Sequence, residues 1–407
     1  MAGPLASLRV LELSRVLAGP WAAQTLADLG AEVIKVERPG SGDDTRAWGP
    51  PYAVAADGAI TSESAYFLAA NRGKRSVTIA FETPQGQELV RALARRSDVL
   101  IENFKVGGLA KYGLDYESLR QENPGLVYCS ITGFGQTGPY RHRPGYDFMI
   151  QGLGGLMSLT GLPDGAPGGG PIKVGVAVAD IFTGLYATIG IQAALAHREK
   201  TGEGQWVDLA LLDTQVAVLA NQALNALTSG AAPVRLGNAH PNIVPYQAFA
   251  TADGHMILAV GNDSQFARFC AVAGCPELAA DPRYATNPAR VAARQTLIPL
   301  LETCLKTRST AVWLEALEAA GVPCGPINTL DAVFADPQVQ ARELRRDLPH
   351  PVAGTVPTVA NPIRLSATPL DHSRAPPLLG ADTDAVLREY LGKSPMEIAA
   401  LRAVGIV

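Results

Sequence analysis

The chain predicts an α/β fold: a large, doubly wound Rossmann-like domain together with a smaller α+β domain. Three observations carry this. In the first half, short apolar runs with β-branched residues alternate with helices of about ten residues, the pattern of a parallel sheet covered by helices. At 407 residues, the chain exceeds what one small core can organise. The stretch Thr228–Pro245, dense in Gly, Pro, Asn and Ala and without periodicity, reads as a linker. Residues 1–225 and 327–407 are therefore assigned to the large domain, and 226–326 to the linker and small domain.

The elements follow in order. Leu8–Leu13 is a strand, Pro20–Leu29 has helical spacing, and Glu32–Val36 is a second strand closed by Glu37-Arg38-Pro39-Gly40. Ser76–Ala80 is a strand and Thr83–Arg96 a helix with Thr83 as its cap. Val99–Glu102, a helix near Tyr116–Gln121 and Leu126–Ile131 continue the alternation. The small-residue run Val174–Ala179 reads as a buried strand that feeds the helix Asp180–His197. A turn and strand occupy Gly202–Leu212, and helical spacing runs on toward Leu227. Tyr246–Ala250 and His255–Val260, divided by Asp253-Gly254, form a hairpin. Helical patterns extend to Ala320, Gly321–Pro326 is a return, 351–370 is proline-rich with strand-like fragments, and a last helix lies near Thr383–Leu391. Ligands of such sheets bind beyond the carboxyl ends of the strands. The loops 14–20, 37–46, 103–111 and 132–147 are thus expected around one site.

Composition narrows the function. Hydrophobic residues at 47% and charged residues at 18% describe an ordered globular chain, and a net charge of −4 provides no overall field for nucleic acid. The five cysteines have no Cys-x-x-Cys spacing and the histidines are scattered, so free thiols in a reducing compartment and no metal are expected. The N-terminus lacks the basic start and apolar stretch of a secretory signal. The apolar windows 174–196 and 207–220 are interrupted by Asp180, Asp208 and Asp213, so they read as core and not as membrane spans. A cytoplasmic protein with neither a nucleic-acid nor a membrane partner is expected.

Asp180 is the residue to explain. A carboxylate between an apolar run and an apolar helix is costly to desolvate. It is either the helix N-cap or a nucleophile at the helix's positive end. Gly133-Phe-Gly-Gln-Thr-Gly138 matches a dinucleotide fingerprint, but Pro139 and Pro144 prevent the helix that motif needs, and no acidic residue follows about twenty positions on. Neither nicotinamide nor flavin is therefore expected. Arg38, Arg72, Lys74, Arg75, Lys105, Lys111, Arg141 and Arg143 fall on or beside predicted loops, where together they suit a ligand with several phosphates. Phe104 and Tyr146 suit stacking on an adenine ring, with core packing for Phe104 and an ordinary loop position for Tyr146 as the alternatives. A nucleotide-like anion next to a carboxylate in apolar surroundings points to coenzyme A thioester chemistry.

Several blocks in one order carry a resemblance over nearly the whole chain. They are Arg15-Val-Leu-Ala-Gly-Pro20, Gly30–Pro39, Gly42-Asp-Asp-Thr-Arg46, Asn71–Ser76, Ile101-Glu-Asn-Phe104, Gly145-Tyr-Asp147, Gly175–Asp180, Gly202-Glu-Gly-Gln205 and Pro376–Gly380. The chain resembles the class III CoA-transferases, the family of formyl-CoA and carnitine CoA-transferases. The blocks at 42–51, 145–151 and 238–246 are most similar to its succinyl-CoA:glutarate (dicarboxylate) branch.

The resemblance implies that Asp180 is the nucleophile and coenzyme A a co-substrate. It implies CoA contacts at Leu17, Ala18, Arg38, Ile79, Phe81, Asn103, Phe104, Lys105, Lys111, Arg143 and Tyr146, and a homodimer of interlocked, ring-like chains. Arg46 is a candidate for the distal carboxylate of a dicarboxylic acceptor, with an ion pair to Asp43 or Asp44 as its structural alternative. His240 and Tyr246 are further acceptor candidates. Each acyl transfer develops an oxyanion, for which amides at the helix start or on a glycine loop are expected. One departure concerns the region 240–265, which lacks the glycine run that covers the site in formyl-CoA transferase. An acyl-CoA racemase of the same superfamily, with an Asp/His pair using His240 or His142, and a non-catalytic CoA-binding protein remain as alternatives.

Overall fold

The computed structural model describes residues 3–407. The first of its two compact units comprises the chain up to Leu156, Val174–Thr228 and Gln338–Val407; the second comprises Met157–Lys173 and Ser229–Pro337. The segments 157–173 and 327–337, expected in the large domain, belong to the second unit, and 226–228, expected in the linker, belong to the first.

The first unit is built on six parallel strands: β1 (Arg9–Glu12), β2 (Glu32–Glu37), β3 (Lys74–Thr78), β4 (Val99–Glu102), β5 (Val127–Thr132) and β6 (Trp206–Ala210). Their order is β3-β2-β1-β4-β5-β6. The chain runs outward from β1 to β3 and then returns to lay β4 on the other side of β1. That reversal opens a crevice beyond the carboxyl ends of β1 and β4, where the following loops diverge.

Because side chains alternate along a strand, each strand supplies both faces. Leu11, Ile34, Val77, Leu100 and Tyr128 face one core, covered by α2 (Pro84–Ala94) and the C-terminal helices Thr383–Leu391 and Pro395–Ala403. Val10, Val33, Val99 and Val127 face the other, covered by α1 (Ala18–Asp28) and α5 (Val178–Thr201). Thr83 caps α2 through Gly86 N (3.1 Å), with Pro84 opening the helix. Two shorter helices, α3 (Tyr116–Glu122) and α4 (Asp147–Leu153), fall between β4 and α5.

Among the described residues, α5 alone is long and apolar enough to cross a membrane. Here Ala179, Thr183, Gly184, Ala187, Ile191 and Ala194 are buried. At Gly184 any Cβ would lie 2.7 Å from the Ala18 carbonyl, so glycine permits the close approach to α1. The other side of α5 leaves Phe182, Leu185, Tyr186 and Ile189 exposed by 39–61%.

Two expectations need correction. The run 174–179 is not a strand: no strand pairs with it among the described residues, Val176 is exposed, and α5 begins inside it at Val178. Strand β3 starts at Lys74, two residues before the expected Ser76, which places Lys74 and Arg75 within the sheet. The hairpin of Tyr52–Val54 with Ile60–Ser64 and the helix Pro395–Ala403 were not anticipated.

The second unit has a three-stranded antiparallel sheet of β7 (Tyr246–Ala250), β8 (His255–Ala259) and β9 (Cys324–Pro326) in the order β9-β8-β7. Its core gathers Phe249, Leu258, Phe266, Phe269, Leu301 and Trp313. The fully buried Arg290 donates to the carbonyls of Val244 (2.7 Å) and Tyr284 (2.9 Å) and to Asp263 (2.8 Å). The segment 157–173 is tied to the linker by Gly237 N–H donating to Gly161 O (3.0 Å).

A dry ionic network lies within the sheet of the first unit. Glu12 is fully buried between Lys35 Nζ (3.1 Å) and Lys74 Nζ (2.8 Å), and Lys35 also meets Asp43 (2.9 Å). Burial pulls the proton affinity of Lys35 down, but Glu12, Asp43 and Glu37 together hold it above the usual range. Burial pulls Lys74 down to about 8, with the charge of Lys35 acting the same way against Glu12. Removing one partner strands the others in low dielectric. Glu12→Gln is expected to lower unfolding free energy by about 3–5 kcal/mol in urea titrations with an unchanged slope. A loss below about 1 kcal/mol would show that the network does not stabilise this sheet.

Candidate active site

The loop after β1 turns at Val16, whose φ of 72° is unusual for a β-branched residue. Asp43 holds it there: its two carboxylate oxygens accept Val16 N–H at 3.2 Å each, while Lys35 and Thr45 hold the same carboxylate. The strained turn costs about 1–2 kcal/mol. Across the crevice, Asn103 accepts from Arg15 N (2.9 Å) and donates to Arg15 O (2.7 Å), fastening the loops after β1 and β4 together. The loop after β5 folds back where Gly133 and Gly145 touch; a Cβ on Gly133 would lie 2.6 Å from Gly145 Cα. Glycine at both positions thus closes the 133–145 loop, which carries Arg141, Arg143 and Tyr146 to the site.

These loops enclose a cavity of about 470 Å³ in the first unit. Leu17, Ala18, Arg38, Ile79, Phe81, Asn103, Phe104, Lys105, Lys111, Arg143 and Tyr146 all reach its wall, as do Asp180, Arg141 and His142. Phe81 packs edge-on against Phe104 (5.6 Å) and Tyr112 (5.8 Å), giving one aromatic wall. Arg15, Lys35, Arg38, Lys105, Lys111, Arg141 and Arg143 outnumber Glu37, Asp43, Asp44, Glu82 and Asp180 on the wall, so it carries a cationic excess although the chain is acidic, and Arg38 pairs with Glu82 (3.4 Å). His142 Nε2 accepts from Arg141 Nε (3.0 Å).

Other expected residues are elsewhere. Arg72 is buried in a fork with Asp28 (2.8 and 2.7 Å), Lys74 belongs to the network around Glu12, and Arg75 pairs with Glu32 (2.6 Å) and Glu389 (2.9 Å). Arg72 lies in the turn just before β3, and Lys74 and Arg75 open that strand, away from the strands' carboxyl ends, which is why they miss the site. Arg46 also lies outside the cavity wall. Its Nε and Nη2 donate to Glu37 (2.7 and 2.8 Å), Nη2 also donates to Pro377 O (3.1 Å), and its guanidinium lies 3.6 Å from the Phe67 ring centre. The partner is thus Glu37 and not the expected Asp43 or Asp44, because Glu37 emerges from the neighbouring end of β2. His240 and Tyr246 belong to the second unit, their rings 5.3 Å apart.

Asp180 is not the N-cap of α5. The helix begins at Val178, and the cap is supplied from α4: Asp147 Oδ1 accepts Ala179 N–H (2.8 Å) and Asp180 N–H (3.4 Å). Val178 N–H donates to Val176 O (2.8 Å) and Ile181 N–H to Ala177 O (3.0 Å). All four amides of the first turn are therefore occupied, which corrects the expectation that they receive an oxyanion. Burial raises the Asp180 carboxyl from its usual value to about 7, and the negative charge of Asp147 adds to the shift. Tyr66 faces the same pair: burial first, then the charges of Asp180, Asp147 and Asp43, raise its phenol. In sequence, Asp147 and Gln151 signal this role only as an i,i+4 polar pair on an otherwise apolar helix.

Such a site can bind a polyanionic, aromatic-bearing ligand and present a desolvated carboxylate to it. Residues 5–383 match the profile of CoA-transferase family III. The chain is 58% identical over 386 residues to the succinate–glutarate CoA-transferase of Agrobacterium fabrum, covering 95% of each chain. It is 43% identical over 404 residues to human succinyl-CoA:glutarate CoA-transferase, covering 99% of this chain and 90% of the relative. The crystal structure of a CAIB/BAIF family protein from Brucella suis superposes with a TM-score of 0.84 at 54% identity, over 96% of this chain and all of the other.

Two consequences are measurable. With the Asp180 carboxyl raised from 3.8 to about 7, the folded state keeps a proton that the unfolded chain has lost, so stability falls as pH rises through that interval. Asp180→Asn is expected to raise Tm at pH 8 and change it little at pH 4; an equal change at both would contradict the desolvated carboxylate. Arg46→Ala strands the buried Glu37 and is expected to cost about 3 kcal/mol in denaturant titrations, without a selective rise in KM for dicarboxylic acceptors. A selective rise at unchanged stability would return Arg46 to the acceptor.

Proposed function

The chain belongs to CoA-transferase family III, and from that premise we propose that it moves coenzyme A from succinyl-CoA to glutarate or a close dicarboxylic homologue, with Asp180 as nucleophile. The single observation that carries the nucleophile assignment is the Asp180 carboxyl, which reaches the cationic cavity while the capping bonds of its helix are made by Asp147. The donor and acceptor rest on the names of the Agrobacterium and human relatives.

In this reading Asp180 attacks the succinyl thioester carbonyl, the C–S bond breaks, and the thiolate leaves behind an aspartyl–succinyl anhydride. The thiolate then attacks the Asp180 acyl carbon and succinate departs, leaving an aspartyl thioester. Glutarate attacks that carbon through one carboxylate and displaces the thiolate again. The thiolate's return to the glutaryl carbonyl frees Asp180 and gives glutaryl-CoA. A carboxylate nucleophile suits an exchange of this kind because the anhydride conserves the reactivity of the thioester.

With the amides of α5 occupied, we assign the oxyanion to the start of α1, which opens at Ala18 on the cavity wall without a side-chain cap. Arg38, Lys105, Lys111, Arg141 and Arg143 would hold the phosphates, and the Phe81–Phe104 wall the base. A homodimer would cover Phe182, Leu185, Tyr186 and Ile189 on α5, and the five free cysteines fit a cytoplasmic setting.

The test is to incubate the protein with succinyl-CoA and a panel of mono- and dicarboxylic acids and to follow new thioesters by mass spectrometry. Glutaryl-CoA is expected to dominate, and Asp180→Ala to lose exchange by at least about 10³-fold. Retained exchange in that variant would remove the nucleophile; preference for a monocarboxylic acid would remove the acceptor class.

A further inference from the structure

The carboxylates of Asp147 and Asp180 stand at the same helix start, yet only one of them receives its hydrogen bonds. Asp147 sits at the first position of α4, and Gln151, one turn later and fully buried, orients it: Gln151 Nε2 donates to Asp147 Oδ2 (2.7 Å). The same glutamine accepts Val174 N–H (2.9 Å) and donates to Val176 O (3.4 Å), holding the irregular segment that enters α5. With Oδ2 so held, Oδ1 takes the amides of Ala179 and Asp180. A helix start carries about half a positive charge, which ordinarily makes a nearby carboxylate more acidic and less nucleophilic. Here a full negative charge lies on those amides, and it belongs to another residue.

We propose that Asp147 is a positioning residue that keeps Asp180 reactive: by taking the amides at the start of α5 and placing its charge beside them, it leaves the Asp180 carboxylate to the cavity without hydrogen-bond donors from its own helix. The inference rests on Asp180 as the nucleophile. Gln151 is part of the same device, since it fixes which way Asp147 points. The groups bearing on the pair are few. Burial and Asp147 shift Asp180, and the Tyr66 phenol from the helix Ala65–Ala70 faces both carboxylates, with Asp43 bearing on Tyr66 as well. The carboxyl of Asp180 near 7 accords with this arrangement, burial contributing most and Asp147 next.

The experiment is the pH dependence of single-turnover acylation by succinyl-CoA between pH 5 and 9. Wild-type protein is expected to lose rate as pH falls through about 7, because the nucleophile becomes protonated. Asp147→Asn keeps an oxygen for the amides and removes the charge; its acid limb is expected to move down by roughly half a unit or more, with a lower plateau rate and little change in KM for succinyl-CoA. Asp147→Glu keeps the charge and is expected to retain the wild-type limb. An unmoved limb in Asp147→Asn, or the same loss at every pH in Asp147→Asn and Asp147→Glu, would reduce Asp147 to a helix cap and overturn the proposal. If Asp147→Asn fails to fold, the wild-type profile decides: a limb below pH 5 overturns it. Peptide mapping separates the two readings, since acyl label absent from Asp180 in active wild-type protein defeats the nucleophile itself, whereas label on Asp180 with an unmoved limb defeats only the role of Asp147.

Discussion

The meeting of Asp147, Asp180 and the first turn of α5 sets the constraint on which the site depends. A helix start within protein must satisfy four amides, and an acid placed there ordinarily does so itself. In this chain the amides of Ala179 and Asp180 are met by Asp147 from another helix, so Asp180 contributes nothing to the cap. Its carboxylate is left partly desolvated, which is unfavourable for stability and favourable for attack on a carbonyl. The buried Gln151, the irregular entry at 174–177 and the close packing of α5 on α1 at Gly184 all serve to hold that arrangement.

Around it the fold does two things that a parallel sheet does readily. The reversal of strand order beside β1 opens a crevice, and the loops that line it bring scattered cations to one place in an acidic protein. Buried charge elsewhere in the sheet is paired instead of exposed. Glu12 with its two lysines, Arg72 with Asp28 and Arg46 with Glu37 are structural ions, whereas Lys105, Lys111, Arg141 and Arg143 on the cavity wall are exposed where a polyanion can reach them.

Much of this was legible in the residues. Alternating strands and helices gave the doubly wound sheet, and Thr83 was readable as a cap because Pro84 follows it. What periodicity could not reveal was which end of a strand a basic residue occupies. Lys74 and Arg75 look like loop cations until β3 is seen to start at Lys74, and Arg72 sits in the turn at that same end. Nor could spacing separate a small-residue strand from an extended entry into a helix, since Val174–Ala177 has the same composition in either case. The role of Asp147 was hidden for a deeper reason: it caps a helix that begins about thirty residues later, a contact that no local pattern encodes.

The most direct measurement is to quench the protein during turnover with hydroxylamine or borohydride and map the modified peptide. A single modified side chain, at position 180, is expected to appear, and only when succinyl-CoA is present. Continued formation of glutaryl-CoA with position 180 unmodified would contradict it.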